Sequence, residues 1–208
     1  GSKSKISRPS SWSTIRATTS SPISDAAVAG RSMTVLPDVL EPGLTTVFCG
    51  SAASSASARQ GAYYAGPGNR FWPILFEAGF TPHAFEPPEF RDLAPLGIGL
   101  TDLAKHESGM DIALSSDAYD SDLLLKKIET AQPRHLAFTG KRPARIFMLE
   151  ALGAGLTDYG AQKARIGMTQ IFVLPSPSGA ARRWWSPDPW IKLAGIHRAA
   201  KQEQDIGQ

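Results

Sequence analysis

Three short apolar runs, separated by segments with helical periodicity, constrain the fold of this chain more than any other feature. The runs predict buried β-strands at Thr45–Gly50, His135–Gly140 and Gln170–Pro175. Apolar residues at helical spacing, with cap or stop residues at the ends, predict helices at Asn69–Gly79, Asp120–Gln132, Pro143–Leu152 and Ser186–Gln202. Strands that alternate with helices are typical of a mostly parallel sheet, so we predict an α/β fold.

The segment between the first two helices is less regular. Phe80–Leu96 is rich in proline, and a short helix is predicted around Glu89–Ala94. Gly97–Leu103 is interpreted as a short strand or a turn, and Asp102 is placed in the loop after its apolar part.

Charge is unevenly distributed along the chain. The whole sequence has 22 basic and 19 acidic residues. Residues 1–33 are rich in serine and threonine, hold five of the basic residues and one acidic residue, and are predicted to be a flexible tail. The remaining 17 basic and 18 acidic residues belong to a nearly neutral body at 34–208, which we predict to be one folded domain. Binding of nucleic acid must therefore depend on local clusters of basic residues in this body. The tail is either inert or adds non-specific contacts to phosphates.

The single cysteine, Cys49, lies inside an apolar run. One cysteine cannot form an internal disulfide, a cysteine-based zinc site or an iron–sulfur cluster. We therefore interpret Cys49 as a small core residue in a reducing compartment. No stretch of the sequence approaches the roughly 20 apolar residues of a membrane span, so we expect a cytoplasmic protein.

Three loops, GSAASSASA, GKRPA and PSPSGAARR, are expected to meet at one edge of the sheet, because ligands of α/β proteins bind beyond the carboxyl ends of the strands. The GLTD segment is a candidate fourth. The first loop has almost only small residues. It either lets a ligand approach the backbone and its N–H groups or serves packing alone. Tyr63 and Tyr64, which follow it, either stack on a flat ligand or pack at the rim.

Several polar residues in these loops carry alternative interpretations. Asp102 is a candidate general base or electrostatic stabiliser, or else a turn residue. Arg182 and Arg183 suit phosphate binding, as does a second cluster that includes Lys141, which is otherwise a solvated helix start. His106 is either a partner of Asp102 or a surface residue. Trp184 and Trp185, which directly precede a helix, either stack or are core or staple residues.

The blocks VFCG, PGNRFWPILFEAGF, GIGLTDL, FTGK and VLPSPSG, in this order, resemble the mismatch-specific uracil/thymine DNA glycosylase family of the uracil-DNA glycosylase superfamily. The resemblance runs from about Thr46 to Leu193. It implies a three-layer α/β/α sandwich with a short, mostly parallel sheet, DNA as the partner, base flipping, and hydrolysis of the N-glycosidic bond without a metal or other cofactor. We expect a monomer associated with the nucleoid.

The resemblance also assigns roles to residues that contact the base. The family's water-positioning Asn falls on Ala52, which lacks a side chain for that task. Backbone N–H groups around Ser51 and Ala52 would stabilise the departing base, Tyr64 would stack on it, and Ser176 would add a polar contact. Asn69 either supports the pocket or contacts the base. Ser54 stands where strict uracil enzymes place a bulky blocker against the 5-methyl group, so tolerance of 5-substituted bases is expected.

DNA contacts follow in the same way. The family's apolar wedge falls on Ala180, which is too small to fill the space of a flipped base, so Arg182 or Arg183 is expected to fill it. Lys141, Ser178, Gly179 and Arg182 would hold phosphates.

Three functions stay open for this sequence. The first is a monofunctional uracil-DNA glycosylase of base excision repair in which Asp102 activates water or stabilises the cationic sugar. The second is a non-catalytic binder of damaged or abasic DNA. The third is a small-molecule enzyme that binds an anion at the small-residue loop.

Overall fold

The structure, a computed structural model, describes Gly1 and residues 34–109, 114 and 116–206. Contacts between residues divide the chain into two units, Gly1–Ser32 and Met33–Gln208. The predicted tail lies outside the described residues apart from Gly1, and the described strands and helices all belong to the second unit.

A five-stranded sheet in the order β2-β1-β3-β5-β4 forms the centre of this unit. The strands are β1 (Thr46–Ala53), β2 (Ile98–Ser108), β3 (His135–Phe138), β4 (Gly160–Ile166) and β5 (Thr169–Val173). β1, β2, β3 and β5 are parallel, and β4 pairs antiparallel with β5 at the edge. The mostly parallel sheet is confirmed, whereas the sequence pattern did not indicate β4.

Within the described residues, five α-helices pack around the sheet: α1 (Ser55–Gln60), α2 (Phe71–Glu77), α3 (Ser121–Ala131), α4 (Lys141–Leu152) and α5 (Asp188–Ile206). Short 3-10 helices occupy Pro87–Leu96, Ser116–Ala118 and Gly179–Trp184. The predicted cap of α3 is confirmed, because the Asp120 carboxylate accepts a hydrogen bond from the Leu123 N–H at 2.9 Å. α2 begins two residues later than predicted, since the Asn69 side chain caps the Phe71 N–H.

Two separate cores pack on the two faces of the sheet. Phe48 of β1 belongs to one core with Phe71 of α2 and Trp190 of α5. Its neighbours in the strand, Val47 and Cys49, belong to the other core, which α3 and α4 cover. Because successive strand residues point to opposite faces, β1 is buried on both sides. The predicted three-layer α/β/α sandwich is confirmed, as is the core position of Cys49.

Two strands are longer than predicted, and this changes the setting of the candidate site. β1 continues through Ser51 and Ala52 to Ala53, so the first half of the small-residue segment is strand rather than loop. β2 extends to Ser108, so Asp102 lies within a strand and not in a loop after it. At Gly50 of β1, the missing side chain leaves room for the Asp102 side chain of β2.

Candidate active site

Residues of the four parallel strands, or of the segments that directly follow them, meet at the carboxyl edge of the sheet. Gly50 and Asp102 are directly opposite each other in the pairing of β1 with β2. Thr139 follows β3, and Ser176 follows β5 and approaches Gly140. The structure therefore brings the predicted segments together at this edge: the small-residue segment, GLTD, the start of GKRPA and the start of PSPSG.

Asp102 is the most unusual side chain at this edge. It is only 5% exposed, and one carboxylate oxygen lies 2.5 Å from where a Cβ on Gly50 would be. Only glycine leaves room for the carboxylate at this point of β1. None of the described residues forms a hydrogen bond to that carboxylate. Burial raises the pKa of Asp102 to about 7, although the Lys105 charge opposes the shift.

A buried charge network lies along β2 beside Asp102. The Lys105 ammonium is 4% exposed, lies 2.7 Å from the Asp38 carboxylate and donates a hydrogen bond to the Tyr63 hydroxyl at 2.9 Å. The other Asp38 oxygen pairs with Lys127 at 2.6 Å. Burial opposes ionisation of Asp38, but its lysine partners hold its pKa below the ordinary value. Sequence reasoning missed this network, since Asp38 lies outside every motif.

Tyr64 lies next to Gly50 and Thr139 at the same edge of the sheet. Its ring stacks on Phe71 with 3.8 Å between centroids, and its hydroxyl lies 3.2 Å from the Thr139 hydroxyl. The Tyr64 hydroxyl is also 3.3 Å from the Cβ position of Gly50. Burial raises the pKa of Tyr64 well above its usual range, so the phenol stays neutral. Phe71 covers one face of the Tyr64 ring, so a planar ligand could stack only on the opposite face.

The backbone of Tyr64 is in the left-handed region, with φ of 53°. A bulky side chain rarely adopts this conformation, and such strain is found preferentially at binding and active sites. The hydrogen bond to Thr139 and the stack on Phe71 hold the ring in place against it.

The end of β1 offers one backbone donor to the site. The Cys49 carbonyl accepts a hydrogen bond from the Thr139 N–H at 2.9 Å and so faces β3. Because backbone groups alternate between the two neighbours of a strand, the Ser51 N–H faces the same side, beyond the last paired residue of β3. The Ala52 N–H faces β2, with which Ala52 is paired.

Three predicted base-contacting side chains have structural partners of their own. The Ser54 hydroxyl caps α1 by accepting from the Ser57 N–H at 3.1 Å. The Asn69 carbonyl oxygen accepts from the Phe71 N–H at 2.9 Å, in line with the supporting role weighed for it. The Ser176 hydroxyl accepts from the Ser178 N–H at 3.3 Å and stabilises the turn after β5.

The segment after this turn packs on the turn before α2. The Pro177 carbonyl accepts from the Arg70 N–H at 2.8 Å, and Ser178 caps the 3-10 helix Gly179–Trp184. The Cβ position of Gly179 is 3.4 Å from backbone oxygens of Pro67 and Gly68. The two turns therefore form one continuous surface beside the site.

The predicted phosphate-binding cations differ in their exposure and in their existing partners. Arg182 and Arg183 are exposed in the 3-10 helix, as is Ala180. Lys141 instead forms an ion pair with Asp158 at 2.7 Å, and its ammonium lies 4.1 Å from the Tyr159 ring centroid. A phosphate would have to compete with both partners for Lys141.

The adjacent tryptophans of this segment have different surroundings. Trp185 packs on the buried Trp190 with 6.1 Å between ring centroids, as expected for a core-side residue. Trp184 is 68% exposed, so its predicted core role is wrong. The 3-10 helix turns it away from the body, which no periodicity in so short a segment indicates. His106 is exposed, as expected.

The described part of the chain offers neither a metal-binding cluster nor a membrane-spanning helix. Within residues 34–109, 114 and 116–206, no three His, Cys, Asp or Glu side chains gather closely enough to ligate a metal ion. Over the same ranges, the helices are too short or too polar to cross a membrane.

Comparison with known proteins identifies the family. Residues 37–196 match the profile of the uracil DNA glycosylase superfamily, which is well over half of the chain. The chain therefore belongs to this superfamily, and the membership supports a DNA glycosylase role with DNA as substrate. The protein is also similar to one from Methanosarcina acetivorans, solved by solution NMR, that carries the provisional name uracil DNA glycosylase. The TM-score is 0.53 at 24% identity, over 80% of this chain and 96% of that one. At this identity the likeness shows the fold alone.

Proposed function

We propose that this protein is a monofunctional DNA glycosylase of the mismatch-specific branch, which removes uracil from DNA in base excision repair at the nucleoid. One observation carries the proposal: a buried carboxylate, Asp102, faces Gly50 at the carboxyl edge of the sheet beside Tyr64. A carboxylate that is buried at the carboxyl edge of the sheet, with its pKa raised to about 7 by that burial, is a candidate functional group.

The extruded base would bind at the carboxyl edge of the sheet, between Tyr64 and the end of β1. Uracil would stack on the face of Tyr64 that Phe71 does not cover. The Ser51 N–H is oriented toward a base oxygen, which would carry negative charge as the base departs. Ser54 leaves the space beside the base open, because its small hydroxyl stays bound to α1. Ser176 borders the same space from the turn after β5.

Asp102 supplies the charge that the reaction needs. Water adds to C1′ of the deoxyribose, the bond from C1′ to N1 of uracil breaks, and the base leaves as an anion that is then protonated. The ionised Asp102 carboxylate either accepts the proton of that water or stabilises the positive charge that develops on the sugar. Ala52 has no polar side chain for either task, so Asp102 performs it alone.

DNA would be held by the surface formed by the two packed turns. Ser178 and Gly179 present backbone at the start of the 3-10 helix, and Arg182 and Arg183 add positive charge. Lys141 contributes only after it exchanges Asp158 for a phosphate.

The direct test replaces Asp102 with Asn and measures uracil excision from a duplex with a U·G pair, followed by alkaline cleavage of abasic sites. We expect excision to fall by about 100-fold or more, because removing one electrostatic stabiliser of this kind costs about that much. Asp92→Asn, at an exposed carboxylate on the 3-10 helix Pro87–Leu96, is the matched control and should retain full activity. Undiminished excision by Asp102→Asn would remove Asp102 from the mechanism.

A second candidate function is a non-catalytic binder of damaged or abasic DNA. The alanines at positions 52 and 180 favour it, since both replace side chains with expected roles in excision. Tight binding of abasic duplex without excision of uracil from U·G, U·A or single-stranded substrates would select this alternative.

A further inference from the structure

The exposed indole of Trp184 lies at the surface that the proposed function assigns to DNA. Trp184 is 68% exposed, whereas Trp72 and Trp190 are 5% and 0% exposed. It ends the 3-10 helix Gly179–Trp184, which begins six residues after β5 at the carboxyl edge of the sheet. An indole with this exposure forms no part of the core, so it is available to a ligand.

The surroundings of Trp184 are positively charged. The Arg183 guanidinium lies 5.5 Å from the Trp184 ring centroid, and Arg182 is exposed one residue further back. No acidic residue occurs between Ser176 and Pro187. An aromatic side chain with arginines beside it suits a ligand that combines flat bases with phosphates, because the ring stacks and the arginines neutralise charge.

The frame that carries Trp184 is firmly anchored. The neighbouring Trp185 packs on Trp190, and the Arg70 guanidinium lies 5.2 Å from the Trp185 ring centroid. The Trp185 N–H closes the 3-10 helix by donating to the Arg182 carbonyl at 3.3 Å. Pro177 binds the Arg70 backbone at the other end of the segment. The chain is therefore fixed on both sides of Trp184, and the indole projects from a rigid support.

We infer that Trp184 inserts into the DNA base stack beside the extruded nucleotide and fills the space that the base leaves. This inference rests on the proposed function, which supplies the flipped base. Ala180, exposed in the same helix, is too small to fill that space. The side chains of Arg182 and Arg183 offer less apolar area than an indole. Their guanidinium groups are better suited to binding phosphates. Trp184 thus stabilises the flipped state of a duplex and has no comparable task on a single strand.

The test compares Trp184→Ala and Trp184→Phe with the unchanged protein, using single-turnover excision of uracil from a U·G duplex and from a single strand. We expect Trp184→Ala to lower the duplex rate about 10- to 100-fold, the usual effect of losing one base stack. The single-strand rate should change less than about threefold, and Trp184→Phe should keep most of the duplex rate, since a smaller ring still stacks. Equal losses on both substrates, or none on the duplex, would overturn the inference.

Met168→Ala is the matched control for an exposed apolar side chain. Met168 is 88% exposed in the turn between β4 and β5, at the opposite edge of the sheet. It should leave both rates unchanged.

A measurement without catalysis separates this inference from the proposed function. 2-Aminopurine is placed beside an abasic-site analogue in a duplex, and its fluorescence is read at saturating protein. Insertion of the indole should quench it with the unchanged protein and not with Trp184→Ala. Quenching that is identical for both proteins would refute the inference, whether or not uracil is excised.

Discussion

Replacing Asp102 with Asn should stabilise the protein in a pH-dependent way while it removes activity. The carboxyl is buried without a hydrogen bond from any described residue, and its pKa is raised from an ordinary value of 3.8 to about 7. A raised carboxyl pKa means that the folded state resists ionisation, so the group costs stability wherever the unfolded chain is ionised. Asparagine has nearly the same shape and carries no charge to desolvate.

The magnitude follows from the two pKa values. A shift of about 3 pKa units corresponds to about 4 kcal/mol, at about 1.36 kcal/mol per unit. The cost is absent below about pH 4, grows as the pH rises and is complete above about pH 7. Between pH 4.5 and pH 8.5 the stability of Asp102→Asn should therefore rise by about 3 kcal/mol relative to the unchanged protein. A fixed cost or gain from the amide is the same at both pH values and cancels.

Urea unfolding of both proteins at pH 4.5, 6 and 8.5 measures this difference, and far-ultraviolet circular dichroism reports the transition. Other titrating groups are common to the two proteins and drop out of the comparison. Asp92→Asn, at an exposed position, should change the free energy of unfolding by no more than about 0.5 kcal/mol. A difference between Asp102→Asn and the unchanged protein that does not vary with pH would refute the raised pKa.

The same pKa should control activity. Only the ionised carboxylate can take a proton from water or stabilise a cationic sugar, so excision needs the group above its pKa. The kcat/KM of the unchanged protein should fall about tenfold per pH unit below about pH 7 and level off above it.

Two further predictions concern the space around the base. Gly50→Ala should lower uracil excision about 10- to 100-fold, because the new Cβ would lie 2.5 Å from an Asp102 oxygen and displace it. Gly195→Ala is the control, since a Cβ at this glycine of α5 meets nothing within 4 Å; excision equal to that control would contradict the prediction. Because Ser54 is small and bound to α1, 5-substituted uracils in a panel of modified duplexes should be excised within about tenfold of uracil. Excision of uracil alone would show that another residue restricts the space.

The central strands could be predicted because their residues are buried on both faces and read as unbroken apolar runs. β4 was missed because it lies at the edge, alternates weakly and contains Gln162, Lys163 and Arg165. α1 was missed because its serines and alanines give no apolar stripe, and the Ser54 cap decides where it begins. The positions of β4 and α1 are therefore set by strand pairing and by a helix cap rather than by their own hydrophobic patterns.

The candidate site could be predicted where one chemical group stands out in an apolar context. Asp102 was predicted in this way, although it lies inside β2 and not after it. The contacts of Asp38 with Lys105 and Lys127 join positions 67 and 89 residues apart, and no local pattern encodes them. The exposure of Trp184 depends on one short 3-10 helix, whose direction is set by the packing of its neighbour.

The position of the carboxylate in β2 depends on the small residues at the end of β1. Gly50 lacks the Cβ that would occupy the place of the Asp102 carboxylate, and Thr139 beside it holds the Tyr64 hydroxyl. A larger, polar side chain at position 50 would have excluded Asp102 from this edge of the sheet. A carboxylate carried by β2 at this position thus requires a residue without a side chain next to it in β1. For the same reason, restoring a polar side chain to β1 at Ala52 should not replace Asp102, because it would act from a different position along the strand.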